Sequence, residues 1–183
     1  IQYQPIYQWL LKKLQAILIN KSFALLNQFD SNSLKTQNLN EDIIYQISYD
    51  EAIKAINELK KKIIAKKEAT ELFANQKDQS FQGILGNILQ SFGGEYLYKS
   101  IEEQAANLLY FIIKNHPFSD GNKRTGAFMF IWFLEKNKHA LKKSGELKIN
   151  DNALTAIALL IASSNPNEKD LMIDLVINLI RDE

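Results

Sequence analysis

HPFSDGNKRTG, residues 116–126, sets a histidine, a proline, an acid, two glycines, an asparagine and two cations within eleven positions. Long apolar patterns flank it on both sides. Upstream, Ser100 followed by Glu103 has capping-box spacing, and Ile101, Ala105, Leu108, Leu109 and Ile112 recur at helical steps. That helix must stop before Pro117, because a residue preceding proline is biased out of the helical region, so His116 is expected at a helix end. Downstream, AFMFIWFL (127–134) is apolar all round, which predicts a helix forming the buried axis of the domain. Two helices joined by a tight polar loop fix the class as all-α.

The rest of the chain extends this reading. Between Tyr7 and Phe29, Leu10, Leu11, Leu14, Ile17, Leu18 and Phe23 predict an amphipathic helix, followed by a polar loop over 30–40. Ser48 and Glu51 again have capping-box spacing, and Ile53, Ile56, Leu59 and Ile63 continue on one face, so a long helix should start near Tyr49. Its lysines (60 to 62, 66 and 67) are interleaved with Glu51, Glu58, Glu68 and Glu71, which reads as a solvated face rather than a nucleic-acid stripe. Residues 75–80 are polar and end the N-terminal part. Of the seven glycines and three prolines, four fall between Gly83 and Gly94. Paired glycines among bulky residues suit a hairpin or an irregular flap over 81–98 better than a helix. Ile84, Leu85, Ile88 and Leu89 are its expected docking edge. Further helices are expected over 151–162 and from Pro166 to Arg181.

Composition limits the function. Hydrophobic residues at 46% and charged ones at 23% describe a globular chain, and a net charge of +1 gives no mandate for nucleic acid or a membrane surface. There is no cysteine, which excludes thiolate metal sites and fits a reducing compartment. No apolar run approaches the roughly 20 residues needed to span a bilayer, and the start lacks a signal-peptide layout. The first residue is Ile1 rather than Met, which reads as a fragment of something longer.

The loop carries the chemistry. Asp120, Gly121 and Asn122 lie at the start of a helix, where unpaired N–H groups and the dipole favour an anion. Gly121 permits close backbone approach. Asn122 offers a side-chain donor, Arg124 a fork suited to phosphate oxygens, and Lys123 a point charge. Asp120 would be repelled by that anion unless a cation bridges them, as Mg²⁺ does with one or two carboxylates plus phosphate oxygens. His116 is of the residue type that most often acts as a general base, and is placed to take a proton from a hydroxyl. Each feature also has an ordinary reading: a histidine past a helix end caps the dipole, and Asp-Gly and Gly-Asn are common turn dipeptides. His116 and Asp120 as zinc ligands are disfavoured, since His139 is the only other histidine.

HPFSDGNKR resembles the signature of the Fic/Doc family, in general form H-P-F-x-D/E-G-N-G/K-R. The resemblance is specific from about Phe81 to Leu134 and looser to the C-terminus. It implies a Fic-like helical bundle with a small β-hairpin flap before the motif helix, which would hold a target's backbone by strand-like pairing. It implies His116 as the base, Asp120 as the Mg²⁺ ligand, and the loop amides with Arg124 as the phosphate site. The implied activity is transfer of AMP from ATP to a Ser, Thr or Tyr of a protein. The chain also looks like the Fic-type domain of some bacterial virulence-associated proteins. On that resemblance the expected location is the cytoplasm, or a host or target cell after delivery.

Two departures from the family pattern leave alternatives. Lys123 stands where AMP-transferring members have glycine and resembles the Doc subgroup, whose members transfer the γ-phosphate; Gly121 is on the AMP-transferring side. Ala127 stands where a second arginine is usual, which leaves a degenerate interaction module open. The family's inhibitory pattern, S/T-x-x-x-E-G/N, has no match, since Glu95 is followed by Tyr96 and Glu168 by Lys169. Control by a separate inhibitor or antitoxin, by self-association, or by a part of the protein outside this sequence is therefore left open. The expected division is an N-terminal helical region, 1–78, and a Fic-like catalytic core, 79–183.

Overall fold

The computed structural model describes residues 4–182. It is all-α apart from one two-stranded hairpin, as expected. The chain divides into two compact units, one ending at Lys35 and the other starting at Thr36. The first holds α1 (Gln4–Asp30), whose end is closed by the Ser31 hydroxyl donating to the Asn27 carbonyl at 2.7 Å. The boundary expected between 78 and 79 lies inside the second unit, because residues 73–77 hydrogen-bond to the motif loop. Among the described residues no helix is long and apolar enough to cross a membrane.

The second unit contains α2 (Tyr49–Ala65), α3 (Ser80–Ile88), a hairpin of β1 (Ser91–Phe92) and β2 (Glu95–Tyr96), α4 (Ile101–Asn115), α5 (Asn122–Lys136), α6 (Asp151–Ser163) and α7 (Lys169–Ile180). The axis of the bundle is α4, not α5 as the sequence suggests. α4 packs against α3, α5, α6 and α7, and Ile101, Ala105, Leu108, Leu109, Ile112 and Ile113 have no exposed surface. Each such Leu or Ile contributes about 1.5–3 kcal/mol by burial. α5 is buried along one side only: Phe128, Ile131 and Trp132 stay half-exposed, with Trp132 edge-on to Tyr45 at 5.5 Å. Gly126 lets the two helices close, since a Cβ there would meet Ile113 Cγ1 at 3.2 Å and Ile112 Cγ2 at 3.3 Å.

The two expected capping boxes behave differently. Ser100 and Glu103 form theirs at the start of α4. Ser48 makes no side-chain cap on α2, and the Glu51 carboxylate accepts the Tyr45 hydroxyl at 2.5 Å. Spacing permits a capping box without ensuring one.

At the N-terminal end of α4 lies a buried charged cluster. Glu102 Oε1 is 2.9 Å from His139 Nε2, and Glu102 Oε2 accepts the Asn40 N–H at 3.0 Å. The Lys148 ammonium lies 3.2 Å from His139 Nδ1 and 3.0 Å from Asp182 Oδ1. His139 thus serves the packing of the bundle.

The segment 81–98 differs from expectation. Phe81, Ile84, Leu85 and Ile88 fall at helical spacing and all four are buried, so the segment folds as α3 despite Gly83 and Gly86. Each glycine costs a helix interior about 1 kcal/mol, which burial of four large side chains outweighs. Ile84, Leu85 and Ile88 are therefore core and not a docking edge, and Leu89, half-buried, is the helix C-cap. The hairpin is confined to 91–96. Gly93 and Gly94, at φ 61° and 88°, supply the two positive-φ positions of a tight two-residue turn. Phe92 at its tip is 94% exposed.

Candidate active site

α4 ends at Asn115, and His116 takes the left-handed conformation (φ 47°, ψ 55°) as its C-cap. For a non-glycine residue this conformation costs about 1 kcal/mol, and the surrounding packing has to offset it. Pro117 and Phe118 supply that packing: both are buried, with the Phe118 ring 5.1 Å from Phe81 of α3. The chain is thus anchored immediately after the histidine. His116 itself is exposed, and its ring has no protein partner among the described residues.

The loop is closed by Asn122. Its Oδ1 accepts the Phe118 N–H at 2.9 Å and its Nδ2 donates to the Phe118 carbonyl at 2.8 Å. Both ends of the amide bond to Phe118, so Asn122 shapes the loop, and one N–H of the amide is left over as the side-chain donor that the sequence suggests. Gly121 is left-handed (φ 77°, ψ 19°) and N-caps α5 without a side chain. No side-chain oxygen therefore caps the N–H groups of the first turn, and an anion there would meet the positive end of the helix dipole.

Asp120, Lys123 and Arg124 are exposed around this turn. Asp120 Oδ1 accepts the Gly121 N–H at 2.7 Å, while Oδ2 lies 3.9 Å from Arg124 Nη2. Lys123 has no partner among the described residues. Arg124 Nη1 donates to the Glu68 carbonyl at 3.0 Å, and its guanidinium carbon sits 4.7 Å from the centre of the Phe73 ring.

Phe73 belongs to a strap, residues 68–77, that sequence reasoning missed. The strap pairs with both sides of the loop: Ala74 N–H donates to the Asp120 carbonyl (3.0 Å), Ser119 N–H to the Asn75 carbonyl (2.8 Å) and Lys77 N–H to the Pro117 carbonyl (3.0 Å). From α2, Lys60 Nζ donates to the Glu71 carbonyl at 2.6 Å and to Asn75 Oδ1, and Tyr49 Oη accepts from Gln76 Nε2 at 3.0 Å. Lys60 is therefore engaged in holding the strap. The one sequence signal was the apolar pair Leu72-Phe73 in a polar stretch, and Phe73 has no exposed surface.

A family model described as the Fic/DOC family matches residues 6–134. The chain belongs to the Fic/Doc family. Fic-type proteins usually transfer a nucleotide or a phosphate group to proteins. The match begins at residue 6 rather than near 81, so it takes in α1, α2 and the strap, and it stops at Leu134 in α5. No curated protein and no solved structure matches the chain.

The donor set bears on the metal that Fic-type chemistry implies. Among the described residues no group of three or more His, Cys, Asp or Glu side chains is placed to hold an ion. Asp120 alone presents a half-exposed carboxylate, with Oδ2 free of any close hydrogen bond. A single carboxylate beside an anion site fits Mg²⁺, which keeps waters and completes its shell with phosphate oxygens.

Proposed function

We propose that this chain is a Mg²⁺- and ATP-dependent protein transferase of the Fic type, which moves AMP from ATP to a Ser, Thr or Tyr hydroxyl of a target protein. The observation that carries this reading is the arrangement of one loop. An unpaired, exposed histidine stands at its start, a lone carboxylate lies four residues on, and an uncapped helix N-terminus with Arg124 completes it. In the proposed reaction His116 accepts the proton of the target hydroxyl. The oxygen attacks the α-phosphorus, the bond to the bridging oxygen breaks, and pyrophosphate leaves with the electron pair. Asp120 would hold Mg²⁺, which when bound supplies positive charge to the phosphate oxygens. Arg124 and the first amides of α5 would bind those oxygens.

A second reading is transfer of the γ-phosphate, favoured by the residue type at Lys123, which adds a cation beside the loop. The exposure of Lys123 supports the first reading, because a side chain directed to solvent leaves the loop amides clear. Incubation of the protein with a cell lysate and either α-labelled or γ-labelled ATP tests both. Label from α-labelled ATP alone, lost in His116→Ala, is the expected result. Label from γ-labelled ATP would establish phosphate transfer, and no label from either would leave a binding module.

A further inference from the structure

We propose that Phe73 is a positioning residue of the nucleotide site, and that the strap around it orients Arg124 toward the phosphates. The inference rests on the transferase reading above. Three contacts converge on the Arg124 guanidinium: the Phe73 ring at 4.7 Å, the Glu68 carbonyl at 3.0 Å and Asp120 Oδ2 at 3.9 Å. Glu68 and Phe73 both belong to the strap, and Asp120 is paired to it through the Ala74 N–H. One short segment therefore supplies or controls every group that touches this arginine. An arginine free in solvent loses much rotamer freedom on binding a phosphate, and one held beforehand loses less, which favours binding. Nη1 donates to Glu68, and Nη2 lies on the Asp120 side of the loop.

The same ring shapes the loop. A Cβ on Gly121 would lie 2.2 Å from Phe73 Cε2 and 2.4 Å from Cδ2, so the ring fills the space that any side chain at 121 would need. The backbone bridge between Phe73 and Asp120 keeps ring and loop in register. Phe73 is fully buried although it lies in a loop between two helices, and Lys60 and Tyr49 hold that loop from α2. A residue serving only the core would not need its ring face against a half-exposed arginine.

The test uses the full chain and calorimetric titration with Mg²⁺-ATP. Phe73→Leu keeps an apolar side chain and removes the ring; Phe73→Met is the alternative if the leucine variant fails to fold. Loss of the cation–π contact with the half-exposed Arg124 should weaken ATP binding on the order of fivefold with the thermal transition retained. In an Arg124→Ala background the same substitution should cost clearly less, because the contact between ring and guanidinium is already gone. The Arg124 Nε–H resonance should be displaced by the ring current in the parent and return to its ordinary position in Phe73→Leu. Unchanged ATP affinity in Phe73→Leu, or an equal loss in both backgrounds, overturns the role of Phe73. If the parent binds no ATP, the transferase reading itself fails, and the Arg124 resonance alone then decides whether Phe73 orients the guanidinium.

Discussion

The protein has two histidines, one at each end of the α4–α5 pair, and they do opposite things. His139, past the C-terminus of α5, is 3% exposed and packed against Glu102 and Lys148. His116, past the C-terminus of α4, is exposed, left-handed and unpaired among the described residues. At one end the polar side chains pair with each other and tie together Asn40, Glu102, His139, Lys148 and Asp182. At the other, the backbone does the joining, through the strap and Asn122, and the side chains are left to face solvent. Chemistry needs a group whose partners are not already supplied, so the end that looks less well ordered by its side chains is the candidate site.

Substituting each histidine is the strongest way to break this comparison. His116→Ala should lower the transfer rate on the order of 10²–10⁴-fold while leaving the melting temperature nearly unchanged. Labelling kinetics and a thermal melt measure the two sides, and a variant as fast as the parent would remove the base assignment.

His139→Ala should behave inversely. It leaves Glu102 Oε1 buried without its counter-group, a loss of about 3–5 kcal/mol, with transfer per folded molecule retained. Urea unfolding gives the stability. A variant as stable as the parent would show that Glu102 and Lys148 satisfy each other without the imidazole.

The same division runs through 81–98. Ile88→Ala, in the buried face of α3, should cost about 2–5 kcal/mol, whereas Phe92→Ala at the hairpin tip should stay within about 0.5 kcal/mol. Equal losses would mean that the hairpin is packed as core.

The smallest expected effect sharpens the comparison with a carboxylate that is neither paired nor open. Burial, and then the neighbouring charge of Asp170, raise the pKa of Asp174. The folded state therefore binds this proton more tightly than the unfolded chain. The stability it contributes is present below the ordinary carboxylate pKa and is lost as pH rises through the raised value. Asp174→Asn should accordingly melt higher than the parent at pH 7 and show little difference in acid, below both pKa values. A difference that does not change with pH would mean that packing, not ionisation, is altered.

Much of the fold was legible from residue order alone. The capping box at Ser100 and the stop before Pro117 depend on neighbours within four residues, and both hold, while Pro166 opens a single 3-10 turn directly before α7. The HPFSDGNKR loop was legible for the same reason, since its proline fixes its own backbone and its one glycine admits the left-handed conformation. Where local preference competed with burial, it lost: Gly83 and Gly86 suggested a flap, and the face of Phe81, Ile84, Leu85 and Ile88 made a helix. Ser48 had the right spacing and makes no cap, and Glu51 bonds to Tyr45. Asn122 had the right chemistry, yet both ends of its amide went to Phe118.

The sequence by itself determined the class of the protein, the loop, and which residue types sit at the start of α5, because short-range sterics and periodicity dictate those. Only the tertiary structure decided that α4 rather than α5 is the axis, and that a strap more than forty residues upstream lies against Gly121 and Arg124. The physical reason is that burial and backbone pairing between distant segments depend on which surfaces remain uncovered after the helices pack. No local pattern in Leu72-Phe73 or Lys60 encodes that outcome.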